Sequence, residues 1–146
     1  MDMIEREPAG IARAPVRPDF IPADRYTGPD VAAREHQHLW PRIWHIVCRE
    51  EEISNPGDYI TYEILNESII IVRTSEGGIR AHYNVCQHRG RRLVPPGSGH
   101  ISGFFCGFHG WRYALNGACT YVHREQEWAR SAGFSKEAAS LAGVRA

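Results

Sequence analysis

Two short pairs of metal-binding residue types dominate this sequence. Cys86-Gln87-His88 comes first, the seventeen residues Arg89 to Phe105 follow, and then comes Cys106-Gly107-Phe108-His109. Each pair offers one thiolate and one imidazole. To act together they must be held tip to tip by a rigid scaffold, which limits the folds available. The compartment matters for four cysteines, because in a secreted domain they would suggest disulfides. Met1 to Gly10 mixes acidic, basic and proline residues and has no apolar signal-peptide core, so a cytoplasmic chain is expected. There cysteines stay reduced and serve as ligands or core residues. No run is long enough to span a membrane. Lysine plus arginine and aspartate plus glutamate number 17 each, with no basic stripe, so neither a membrane nor nucleic acid is the expected partner.

The rest of the chain reads as a scaffold for those two pairs. Residues 1–24, rich in Pro, Arg and Ala, are expected to form a flexible arm. Asp30 is expected to cap a helix that ends near Pro41, with Leu39, Trp40, Ile43 and Trp44 on its apolar side. After Trp44 the pattern turns to β. Ile46-Val47-Cys48 is short and apolar, and Tyr59 to Leu65, Ser68 to Thr74 and Ile79 to Val85 read as strands. The last of these leads into Cys86. Ile101 to Phe105 reads as a strand between the two Cys/His loops. Asn116-Gly117 marks a hairpin between Trp111–Leu115 and Ala118–Val122. From Glu125 to Ala146 no convincing apolar face is visible. Cys48 and Cys119 read as core or strand residues.

Two thiolates and two imidazoles suit either a structural zinc ion or a binuclear iron–sulfur cluster. Zinc sites usually pair Cys with Cys and His with His, whereas both pairs here are mixed, with one- and two-residue gaps. A third reading is four scattered residues with no metal, although both pairs fall at strand ends. In a cluster, imidazole in place of thiolate on one iron removes negative charge. That raises the potential to roughly −150 to +300 mV, against roughly −400 mV for an all-cysteine cluster. Gly90, Gly107 and Gly110 beside the pairs suit tight turns and close approach of backbone N–H groups to sulfur.

Cys86-Gln87-His88-Arg89-Gly90 and Cys106-Gly107-Phe108-His109-Gly110-Trp111 resemble the Rieske motifs of bacterial ring-hydroxylating oxygenase α-subunits, the Rieske non-haem iron oxygenases. The resemblance extends through Tyr26 to Trp44, Pro56-Gly57-Asp58-Tyr59, Val72-Arg73, Ile79-Arg80-Ala81, Asn84, Trp111-Arg112-Tyr113 and Asn116-Gly117. It implies an all-β fold: a Rieske [2Fe–2S] domain of stacked antiparallel sheets with two cluster-binding hairpin loops and one N-terminal helix. It implies that domain over 25–125, and a truncated connection over 126–146 towards a catalytic domain the chain does not contain. It implies a Rieske [2Fe–2S] cluster with Cys86 and Cys106 on one iron and His88 and His109 on the other, flanked by Arg89 and Trp111. Respiratory Rieske proteins carry an extra cysteine in each loop; Arg91 and Phe108 stand there instead.

The implied function is a one-electron relay in an O2- and NAD(P)H-dependent aromatic ring-hydroxylating oxygenase. Its partners would be a reductase or ferredoxin donor and a neighbouring α-subunit. The oxygenase's mononuclear Fe(II) belongs to the catalytic domain, and no two-histidine, one-carboxylate group is apparent in this sequence. The chain alone is therefore not expected to be catalytic. A standalone Rieske-type ferredoxin and a zinc-stabilised binding module are the alternatives.

Overall fold

The computed structural model describes residues 20–128, 130–131 and 133–146. Most of the expected flexible arm lies outside them. The chain divides into two units at Trp44/His45.

In the first unit, α1 spans Asp24–Thr27 and α2 spans Pro29–His38, followed by a 3-10 turn over Trp40–Arg42. Gly28, not Asp30, is the N-cap of α2. Proline explains the shift: its fixed φ and missing N–H suit the first helical position, so the helix begins at Pro29. Asp30 still favours the first turn through the helix dipole, and it pairs with Arg34 at 3.2 Å. No residue of α2 is buried.

The second unit is β-rich. Its strands are β1 (Asp58–Ile64), β2 (Glu67–Arg73), β3 (Ile79–Tyr83), β4 (Ser98–His100), β5 (Phe104–Phe105), β6 (Arg112–Tyr113), β7 (Cys119–Tyr121) and β8 (Gly143–Val144), with a short helix α3 (Glu125–Trp128). They form a five-stranded sheet, β4-β1-β2-β3-β8, and a three-stranded sheet, β5-β6-β7. Every pairing is antiparallel. The expected all-β fold of antiparallel sheets is what the chain adopts.

β2 shows why its sequence is continuously apolar. Ile70 and Val72 point into a core shared with Tyr59, Phe104, Trp111 and Tyr113, which joins the two sheets. Ile69 and Ile71 point the other way, into a second cluster with Ile53 and Ala81. A strand buried on both faces reads as an unbroken apolar run.

Three local expectations needed correction. The single strand expected over Ile101–Phe105 is split: β4 ends at His100 and pairs with β1, while Phe104 and Phe105 pair with Tyr113 and Arg112 in the other sheet. Ile46-Val47-Cys48 is not a strand; Ile46 is 98% exposed, and only Val47 and Cys48 lean on the second cluster. The tail is also more embedded than its pattern suggested. Ala139 and Leu141 are buried in the main core, the Leu141 N–H donates to the Gly117 carbonyl, and β8 adds an edge strand beside β3. Irregular backbone supplies these contacts, so no helical or strand period announces them.

Candidate metal centre

The first Cys/His loop leaves the end of β3, and the second joins β5 to β6. The two make the same backbone turn. In the first, the Gly90 N–H donates to the Cys86 carbonyl (2.9 Å) and the Cys86 N–H donates to the Arg91 carbonyl (2.8 Å). In the second, Gly110 donates to Cys106 (2.9 Å) and Cys106 donates to Trp111 (2.9 Å). Gly90 and Gly110 have φ of +70° and +76°, a region where a Cβ is costly. A Cys-x-x-x-Gly spacing thus builds both turns. Only the histidine moves, to the second residue after Cys86 and the third after Cys106.

This geometry brings like with like. Cys86 and Cys106 are each 2% exposed. Burial pushes the Cys86 thiol pKa up, and the adjacent Cys106 adds to the effect, against the hydrogen bond from Tyr113 and the His88 backbone. The rings of His88 and His109 lie 4.6 Å apart between centroids, inclined at 64°. Burial, then the neighbouring His109 and Arg89, lowers the His88 pKa, which keeps that ring neutral. Neutral imidazole is the form that binds a metal.

The fit to a cluster can be tested on the ring nitrogens. Nδ1 of His88 and Nδ1 of His109 are both buried and have no hydrogen-bond partner. A buried polar atom left without a partner costs about 1–3 kcal/mol, so two neighbouring ones call for an explanation. A metal accepting both lone pairs supplies it. Among the described residues, no three His, Cys, Asp or Glu side chains gather as ligands of a single ion. Tetrahedral zinc needs all its ligands about one point. A binuclear cluster takes two per iron, which suits a pair of thiols beside a pair of imidazoles.

The surroundings include residues that the motif spacing does not reveal. The Tyr113 hydroxyl lies 3.2 Å from Cys86 Sγ and accepts the Gln87 N–H at 3.2 Å. Burial and that sulfur contact raise the Tyr113 pKa, so the hydroxyl keeps its proton and can donate it to a thiolate. Asn84 is buried; its side-chain carbonyl accepts from the N–H groups of Leu93 and Val94 and its amide donates to the Val94 carbonyl, closing the first loop. Trp111 stacks on His88 at 4.9 Å with 5° between planes, and Trp128 meets His88 edge-on at 5.2 Å. An open cleft of about 220 Å³ lies beside His88, between these tryptophans and Phe134. No signal in residues 125–134 could have placed Trp128 here, because the contact depends on how the tail folds back.

Other histidines lie elsewhere. His45 meets the Tyr62 hydroxyl at 3.3 Å, and His100 pairs with Asp58 at 2.8 Å across β4 and β1. His82 is buried beside Phe104. All four cysteines are free, so Cys48 and Cys119 form no disulfide.

Comparison with known proteins gives the family of the chain. The family model for the Rieske [2Fe–2S] domain matches residues 43–132. The large oxygenase component of the naphthalene 1,2-dioxygenase system of Pseudomonas aeruginosa is 38% identical over 94 residues, 64% of this chain and 21% of that protein. The carnitine monooxygenase oxygenase subunit of Escherichia coli (strain K12) is 34% identical over 126 residues, 86% of this chain and 33% of that protein. The chain thus spans between a fifth and a third of these relatives. The apo form of a quaternary ammonium Rieske monooxygenase, CntA, superposes with a TM-score of 0.79 at 31% identity, over 86% of this chain and 36% of that one. Among the described residues no helix is long and apolar enough to cross a membrane. The matched segment contains both Cys/His loops, and the chain belongs to the Rieske [2Fe–2S] domain family, with Rieske oxygenase large subunits as its relatives.

Proposed function

We propose that this chain is the electron-relay segment of a Rieske oxygenase large subunit, its [2Fe–2S] cluster held by Cys86, His88, Cys106 and His109. The supporting observation is the pair of buried, unpartnered Nδ1 atoms beside two buried thiols. When bound, the cluster accepts and releases one electron at a time. The protein's own residues prepare the site for it. The paired glycine turns hold the loops, Tyr113 offers a proton to the Cys86 sulfur, and Trp111 fixes the plane of the His88 ring.

The whole enzyme, on this reading, uses O2 and electrons from NAD(P)H through a cytoplasmic reductase or ferredoxin, and a neighbouring subunit receives the electron. Its mononuclear iron and substrate pocket belong to a further domain, so the relay segment by itself turns over no substrate. The similarity to naphthalene and 2,4-dinitrotoluene dioxygenase components supports ring hydroxylation of an aromatic compound as the whole enzyme's reaction. The carnitine monooxygenase relatives match a longer part of the chain and extend the candidates to small quaternary ammonium compounds.

The test is visible absorption of the purified full chain, with iron and sulfide counts and a redox titration. The reading expects a coloured protein with two irons and two sulfides, and a potential in the range of roughly −150 to +300 mV. A colourless protein carrying one zinc would overturn it.

A further inference from the structure

The overall charge balance conceals a strong segregation. Between Glu76 and Glu125 the sequence contains no aspartate or glutamate, while it contains Arg80, Arg89, Arg91, Arg92, Arg112 and Arg124. Both Cys/His loops fall in that acid-free stretch. Some of its charge is already engaged: Arg92 pairs with Glu63 at 3.0 Å, and Arg124 with Glu127 at 3.0 Å. Arg89 and Arg91, in the first loop, are exposed and have no ion-pair partner among the described residues.

Exposed aromatic surface joins these cations. Phe108, in the second loop, is 54% exposed and its ring lies 3.8 Å from that of His109. Phe105 is 55% exposed, borders Gly110, and carries the Arg112 guanidinium 5.7 Å from its ring centre. Arginine beside exposed aromatic rings is the composition favoured in protein interfaces. Its place beside the candidate ligands is where an electron must enter or leave.

Resting on the relay function proposed above, we propose that Arg89, Arg91, Arg112, Phe105 and Phe108 form the docking face for an electron-donor protein whose own redox centre is ringed by carboxylates. Charge complementarity selects this occupant. An acidic partner is drawn to a face carrying unpaired arginines, and steering of this kind raises association rates by about 10- to 1,000-fold at low salt. A second copy meeting face to face would bring like charges together. A few arginines around two rings also suit the small, quickly reversible interfaces of redox encounters.

The experiment is stopped-flow reduction of the cluster-loaded full chain by a carboxylate-rich plant-type [2Fe–2S] ferredoxin, itself poised at roughly −400 mV and so able to donate downhill. A neutral reduced flavin is the reference donor, and the readout is the ratio of the two rate constants. The expected ratio falls steeply as salt rises from low to physiological ionic strength. Arg91→Glu lowers it at low salt by about tenfold, Arg89→Glu lowers it likewise, and Arg91→Gln does so by less. Arg80→Glu, the same charge change at the exposed residue of β3, moves it much less.

A ratio insensitive to salt, or as sensitive to Arg80 as to Arg91, overturns the docking face. A wild-type dimer in sedimentation that Arg91→Glu dissolves also overturns it, by making the face a contact between copies. A chain that binds no cluster would instead end the relay reading, a failure that the visible spectrum reports separately.

Discussion

The two Cys/His loops share one backbone turn and differ in what surrounds their histidines. In both, a glycine four residues after the cysteine closes the turn, and the cysteine N–H donates five residues ahead. The first loop is supported on every side: Tyr113 touches Cys86 and Gln87, Asn84 ties its far end, and Trp111 and Trp128 wall in His88. The second presents His109 beside exposed Phe108. The difference teaches that a repeated turn can hold two like pairs of side chains while the surroundings give each histidine its own environment. Both are half-buried, but one ring lies against tryptophans and the other against a phenylalanine.

The largest expected effect tests the shared role. Cys86→Ala and Cys106→Ala are each expected to abolish the visible absorption and the iron content. A variant of one loop that kept a full cluster would break the equivalence of the two cysteines. The asymmetry of the surroundings is tested next. Trp111 is buried, so Trp111→Ala should cost about 3–5 kcal/mol in chemical unfolding, whereas Phe108→Ala should stay within about 0.5 kcal/mol. Similar costs at both positions would mean the loops are supported alike.

Tyr113→Phe sharpens the contrast further. It removes a hydroxyl that serves Cys86 and the Gln87 N–H together. About 1–3 kcal/mol of stability is at stake, because the Gln87 donor loses its partner. The potential should fall as well, since a hydrogen bond to sulfur favours the more negative, reduced state. Redox titration of the variant reads that sign, and a rise in potential would refute it. Gly90→Ala and Gly110→Ala should each cost about 1–2 kcal/mol, and equally, because the two φ values nearly match. A thermal melt in which only one variant is affected would show that the turns are not equivalent.

The smallest effect is one of pH. His82 is buried. Burial lowers its pKa from the ordinary 6.5, against a weaker opposing contribution from the Leu115 backbone. Below pH 6.5 the unfolded chain therefore takes up a proton that the folded chain refuses, so stability is full above that pH and declines as acid carries it down towards the folded pKa. Unfolding midpoints measured between pH 8 and 5 should show this slope for the wild type and a shallower one for His82→Phe. An unchanged slope would exonerate His82.

Much of this architecture was legible before any coordinates. Cys-x-His and Cys-x-x-His with glycines beside them announced two ligand-bearing loops, because glycine permits the tight turns such loops need. The apolar run Ile69 to Val72 announced a buried strand, and Asn116-Gly117 a hairpin. Other features were not legible. The break at Ile101–Gly103 sends neighbouring residues into different sheets, and local alternation carries no label for which sheet a residue joins. Trp128, Ala139 and Leu141 reach the core from irregular backbone, which has no period to read.

The sequence by itself determined which side chains could bind a metal and how each loop turns, since both depend on neighbours a few residues apart. Only the tertiary structure decided that the two thiols lie together, that the two imidazoles face each other with Nδ1 unpartnered, and that one histidine is walled by tryptophan. Those relations join residues distant along the chain. They are set by how two sheets and a folded-back tail fill a common core, and no local pattern encodes that.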